Sequence, residues 1–73
     1  MPIIKSKPGQ ALTSRERQVV QGLADGLSYK LVADRIGITA NTVKFHLTNT
    51  YIKLGITTGP GAVAKALREG VII

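Results

Sequence analysis

In the stretch SYKLVADRIGITANTVKFHLTNTYIKLG, residues 28–55, five side chains of unlike chemistry recur at helical spacing: Asn41, Lys44, Phe45, Thr48 and Ile52. At about 100° per residue they share one face, with Asn49 and Lys53 flanking it. Such a face is suited to a nucleic-acid groove. Asn41 both donates and accepts, as a purine edge requires, and Lys44 donates to guanine acceptors or to a phosphate. Phe45 presses on a thymine methyl, and Thr48 is small enough to let the backbone approach. Asn49 and Lys53, together with Thr42 and Lys30, are candidates for the phosphate contacts that fix register without reading sequence. Phe45 and Ile52 have no place on a purely solvated face and call for a contacting partner. His46 is the single histidine of a chain without cysteine. It reads as a packed or phosphate-facing residue at the helix edge, because a metal site needs further ligands. Neither a nucleophile nor a carboxylate pair lies near it, so no catalytic residue, metal ligand or cofactor is implied and an enzyme is not expected.

These side chains need a helix, and the helix needs a support. Ser28 suits an N-cap, and Leu31, Val32 and Ile36 then fall on one side of a short helix that Gly37 ends. Tyr29 and Lys30 sit in its first turn, where free amides and the helix dipole favour an anion. After a turn at Gly37-Ile38-Thr39, Thr39 caps a longer helix closed by Gly55. Its buried stripe is predicted to be Val43, Leu47, Thr50 and Leu54, with His46 and Tyr51 at the edges. A short helix, a tight turn and a longer helix make a helix-turn-helix, in which the second helix is free to enter a DNA groove.

Flanking segments complete a core that two helices cannot build alone. Thr13-Ser14-Arg15-Glu16 is a capping box that starts a first helix, with Val19, Val20, Leu23 and Ala24 inward and Gly26 at its end. Arg15, Arg17, Gln18 and Gln21 are assigned to solvent. Pro60 fits the first position of a fourth helix carrying Ala62, Val63, Ala66 and Leu67 on its apolar side, with Gly70 as its stop. Gly59 and Gly61 are poor starters, so its first turn should fray. The tail Val71-Ile72-Ile73 must fold back or meet a neighbour. The expected fold is all-α, a compact four-helix domain containing a helix-turn-helix. Residues 1–11 are expected to form a flexible basic N-terminal arm or linker, and residues 12–73 the domain.

Composition agrees with a polyanionic partner. The chain has 73 residues and a formal net charge of +6, and no acidic residue falls between Arg35 and Arg68. A chain this short buries only about 60% of its unfolded surface, so a partner adds appreciably to its stability. The absence of cysteine excludes disulfide and thiol chemistry. No apolar run approaches the roughly 20 residues of a membrane span, and the first residues are too short and broken for a signal peptide. A cytoplasmic protein is the expectation.

LTSRERQVV, GLSYKLVADRIGI, NTVKFHLTNTYIKLGI and GAVAKAL together resemble the four-helix DNA-binding domain of LuxR-type (LuxR/GerE/NarL-like) transcription regulators. The resemblance spans about Leu12 to Ile73. L-T-x-R-E near the start, with T-V-K-x-H and K-L-G in the long helix, carries it. It implies binding of bacterial promoter DNA as a dimer, with the third helix, about Thr39 to Leu54, in the major groove. The fourth helix would form the dimer contact, for which Ala64 and Arg68 are the candidates. By position Lys44, Phe45 and Thr48 match base-reading sites, and Lys30, Asn49 and Lys53 match sites that contact the DNA backbone. RNA polymerase, and an N-terminal receiver or ligand-binding domain in a longer parent chain, are further implied partners. The alternatives are an excised output domain and a chain that stands alone.

Departures from the family pattern fall at informative places. Leu31 stands where a glutamate is usual, Thr50 where the core is usually aliphatic, and Leu47, Thr48 and Ile52 where basic or polar residues are frequent. Pro60 stands where a Thr or Ser cap usually opens the fourth helix. Two other readings remain open at this point. One is a promoter reader similar to sigma-factor region 4. The other is a protein-interaction module that keeps the fold and uses Phe45, Ile52 and the apolar tail.

Overall fold

The computed structural model describes residues 6–73. Four α-helices follow one another: α1 (Ser14–Ala24), α2 (Tyr29–Ile36), α3 (Ala40–Leu54) and α4 (Gly59–Arg68), with no strand among the described residues. The part of the expected N-terminal arm before Ser6 lies outside them.

Each helix begins where a side chain relieves its unpaired amides. The Thr13 hydroxyl accepts from the Glu16 amide at 3.2 Å while the Glu16 carboxylate accepts from the Thr13 amide at 2.9 Å, closing the capping box. Ser28 accepts from Leu31 N–H at 3.3 Å and Thr39 from Thr42 N–H at 3.1 Å. The α2 to α3 turn depends on Gly37, whose φ of 74° lies in the left-handed region that side chains disfavour. The fourth helix departs from expectation at its start. Its cap is Thr58, which accepts from Gly61 N–H at 3.1 Å, and Pro60 follows Gly59 inside the first turn. A hydroxyl cap is therefore present, two residues before Pro60. Gly61 is needed there, because a Cβ would stand 2.6 Å from the Ile56 Cγ2.

The core forms where α1 and α3 face each other, and α2 and α4 each pack on both. Val19, Val32, Ala33, Val43 and Leu47 make its centre. Leu12, Leu54 and Ala62 close one end, and Val20, Ala66 and Ile72 another. Burying each of the larger side chains contributes about 1.5–3 kcal/mol. Gly22 lets α2 come close to α1, since a Cβ there would lie 2.7 Å from the Val32 Cγ2. That approach centres α2 on Val32 and Ala33, and Leu31, expected inward, is 52% exposed. Leu67, also expected inward, is exposed, and Ala62 and Ala66 carry the buried side of α4.

The tail folds back. Ile72 is buried, and the Gln21 side chain, expected in solvent, accepts from Ile73 N–H at 2.9 Å and donates to its carbonyl at 2.6 Å. Among the described residues no helix is long and apolar enough to cross a membrane.

Candidate nucleic-acid interface

α3 carries two unlike sides, because its inner positions meet three other helices and its outer ones meet none. Inward, Val43, Leu47, Thr50 and Leu54 are buried, as the periodicity requires. Thr50, the departure from an aliphatic core, is accommodated without an unpaired group: its hydroxyl donates to the His46 carbonyl at 2.8 Å. Outward, Asn41, Lys44 and Thr48 are exposed, while Phe45, Ile52 and Thr42 are half-buried. The Phe45 ring meets the His46 ring edge-on at a centroid distance of 5.8 Å, which steadies both at the margin of the face.

The polar groups of this face differ in what they leave free. Thr48 donates its hydroxyl proton to the Lys44 carbonyl at 3.0 Å, so what it presents outward is an acceptor and a methyl group. The Thr42 hydroxyl is 2.9 Å from that of Thr39, at the capped start of α3. Lys30 is exposed in the first turn of α2 beside its Ser28 cap. Among the described residues neither Lys30 nor Lys44 is in an ion pair, whereas Arg35 is paired with Asp25 at 3.1 Å and Lys65 lies 3.9 Å from Glu69. The protein's uncommitted positive charge therefore includes the two lysines nearest the helix-turn-helix surface.

Asn49 and Lys53 require a correction: the exposure expected of them is absent, and both are buried. Lys53 reaches inward to Glu16, with Nζ to Oε1 at 2.7 Å. Glu16 is itself buried and also closes the α1 capping box. Asn49 donates to the Phe45 carbonyl at 3.0 Å and accepts from the Ser6 hydroxyl. The physical reason is that the start of α1 and residues 6–10 cover this flank of α3, widening its buried stripe. Sequence reading missed Glu16 as the partner of Lys53, because 37 residues separate them. The one available signal was local: Asn49 and Lys53 lie four apart and adjoin Thr50 and Leu54 of the inner stripe.

Tyr51 joins the helix-turn-helix to the rest of the domain, packing against both the central cluster and the end near Leu54. Burial, and then the neighbouring Tyr29, hold its phenol above the usual tyrosine range. On α4, the dimer candidates Ala64 and Arg68 are exposed along with Leu67. The spacing places the three on one face of that helix.

Comparison with known proteins finds relatives along most of the chain. The family model described as bacterial regulatory proteins, luxR family, matches residues 10–66. The probable transcriptional regulatory protein SgaR of Hyphomicrobium methylovorum is 44% identical over 62 residues, which cover 85% of this chain and 29% of SgaR. The transcriptional regulatory protein YdfI of Bacillus subtilis (strain 168) is 35% identical over 68 residues, covering 93% of this chain and 32% of YdfI. The chain thus spans about a third or less of the length of these relatives. Among solved structures, the response regulator ChrA of a heme-sensing two-component system superposes with a TM-score of 0.83 at 39% identity, over 90% of this chain and 33% of that one. The transcription factor GerE does so with a TM-score of 0.81 at 34% identity, over 88% of this chain and 97% of its own.

Proposed function

The chain belongs to the luxR family of bacterial regulatory proteins as a helix-turn-helix DNA-binding domain of a transcriptional regulator, and we propose that it reads promoter DNA with α3 in the major groove. The observation that carries this reading is the division of α3. Its inner side is sealed by packing, while Asn41, Lys44 and Thr48 stand exposed on the outer side with Phe45 and Ile52 beside them. Asn41 and Lys44 supply hydrogen bonds to base edges, and Phe45 and the Thr48 methyl supply apolar contact to thymine. The face holds one exposed lysine, Lys44. Its selectivity therefore leans on methyl groups and shape.

Phosphates are held at the N-terminus of α2 by Lys30 and the first-turn amides, and at the start of α3 by Thr42. Lys53 serves the interface indirectly, by fixing α3 against α1 through Glu16. Two copies bind together through the exposed α4 face of Ala64, Leu67 and Arg68, so the two α3 helices meet successive turns of the groove. A longer parent chain with a receiver or ligand-binding domain, and a contact with RNA polymerase, complete the reading. Selection of genomic DNA fragments with the purified chain tests it. An enriched motif of two related half-sites about 10 base pairs apart supports it, and recovery of unrelated fragments counts against it.

A further inference from the structure

The flank of the reading face at the C-terminal half of α3 is covered by another part of the chain. Gly9 N–H donates to the Lys53 carbonyl at 2.9 Å, and the Ser6 hydroxyl donates to the Asn49 side-chain oxygen. Pro8 borders two surface grooves, one with Thr48, Ile52 and Ile56, the other with Lys53 and Lys65. Residues 6–10 therefore run along the Asn49 and Lys53 ridge, between the reading face and α4. They cover the two α3 residues whose positions would otherwise meet a phosphate strand.

We propose that Lys7 makes the DNA phosphate contact on this flank, in the place that buried Lys53 vacates. This rests on the reading of α3 as the helix in the groove. Backbone donors of residues 7–10 are already used: Lys7 N–H is taken by the Gln10 side chain at 2.8 Å, Gln10 N–H by the Lys7 carbonyl at 3.3 Å and Gly9 N–H by the Lys53 carbonyl, and Pro8 has none, so Lys7 carries the one positive charge of residues 6–10. The Lys7 side chain is exposed, and among the described residues it is in no ion pair. Its backbone is held by the Pro8-Gly9 turn, in which Gly9 takes a φ of 85°. An ammonium mounted on a fixed turn loses less freedom on meeting a phosphate than one on a loose arm. The partner chemistry is the phosphodiester backbone, without base preference.

Salt titration of the 73-residue chain on a duplex enriched from genomic DNA, and on a shuffled duplex, tests Lys7 against Lys30. The proposal expects Lys7→Gln to weaken both duplexes by the same factor and to flatten the slope of log affinity against log salt by about 0.9. Lys7→Arg should restore the slope, and the thermal unfolding of Lys7→Gln should match wild type. A wild-type slope in Lys7→Gln, with a flattened slope in Lys30→Gln, overturns the Lys7 contact and leaves the DNA reading standing. A loss confined to the enriched duplex overturns it too, by making Lys7 a base contact. Wild-type binding that is flat in salt removes the underlying reading itself.

Discussion

The Lys53 ammonium lies 2.7 Å from the Glu16 carboxylate, and both side chains are more than nine-tenths buried. This pair joins the recognition helix to the first turn of α1. A buried charge that loses its partner costs about 3–5 kcal/mol, whereas removing both charges together is often close to neutral. For a domain of this size that loss is a large share of a total stability of roughly 4–11 kcal/mol. Lys53→Met is therefore expected to destabilise strongly in urea unfolding. Lys53→Met with Glu16→Gln should recover most of the loss, since glutamine retains the bond to the Thr13 amide. Equal loss in the single and double variants would show that the pair's charges are not what Lys53 contributes.

Gly22 and Val32 set the distance between α1 and α2. A methyl added at Gly22 would stand 2.7 Å from the Val32 Cγ2. Gly22→Ala should therefore cost about 1–3 kcal/mol through overpacking, despite alanine's better helix propensity. In Gly22→Ala/Val32→Ala the combined loss should be smaller than the sum of the two single losses, because the shortened side chain relieves the clash. A Gly22→Ala variant with a raised midpoint in chemical unfolding would mean that the helices separate without penalty.

Two tyrosines offer a pH test. Tyr51 is raised first by burial and then by Tyr29, so the folded state holds its proton more tightly than the unfolded state does. The associated stability is complete below the unfolded tyrosine value, about 10, and is lost as pH rises beyond it toward the folded value. Near-ultraviolet titration should show a tyrosine phase above the ordinary range, and Tyr51→Phe should remove it. A single phase near the ordinary value in the folded protein would contradict this.

Local chemistry made much of this fold legible in the sequence. The Thr13 and Glu16 box, the Ser28 and Thr39 caps and the Gly37 turn each involve residues within a few positions, and the inner stripe of α3 follows from its period alone. What escaped depends on approach between distant segments. Leu31 turns outward because Gly22 draws Val32 to the centre, a fact of α1 that α2 does not encode. The Gln21 clamp on Ile73 spans 52 residues, and the Glu16 partner of Lys53 spans 37. The burial of Asn49 and Lys53 escapes for the same reason: a helical projection shows which side a residue occupies, but not which neighbour widens the buried side. Asn41, Lys44 and Thr48 were legible as an exposed face because no other element crosses it.

The central claim is that the outer face of α3 reads bases, and Lys44 tests it most directly. Fluorescence anisotropy would compare wild type and Lys44→Ala on the enriched duplex and on a shuffled one at a single salt concentration. The account predicts a loss of about 1–3 kcal/mol on the enriched duplex and a smaller loss on the shuffled one. Equal losses on both duplexes would contradict it, reducing Lys44 to a phosphate contact and moving recognition away from this face.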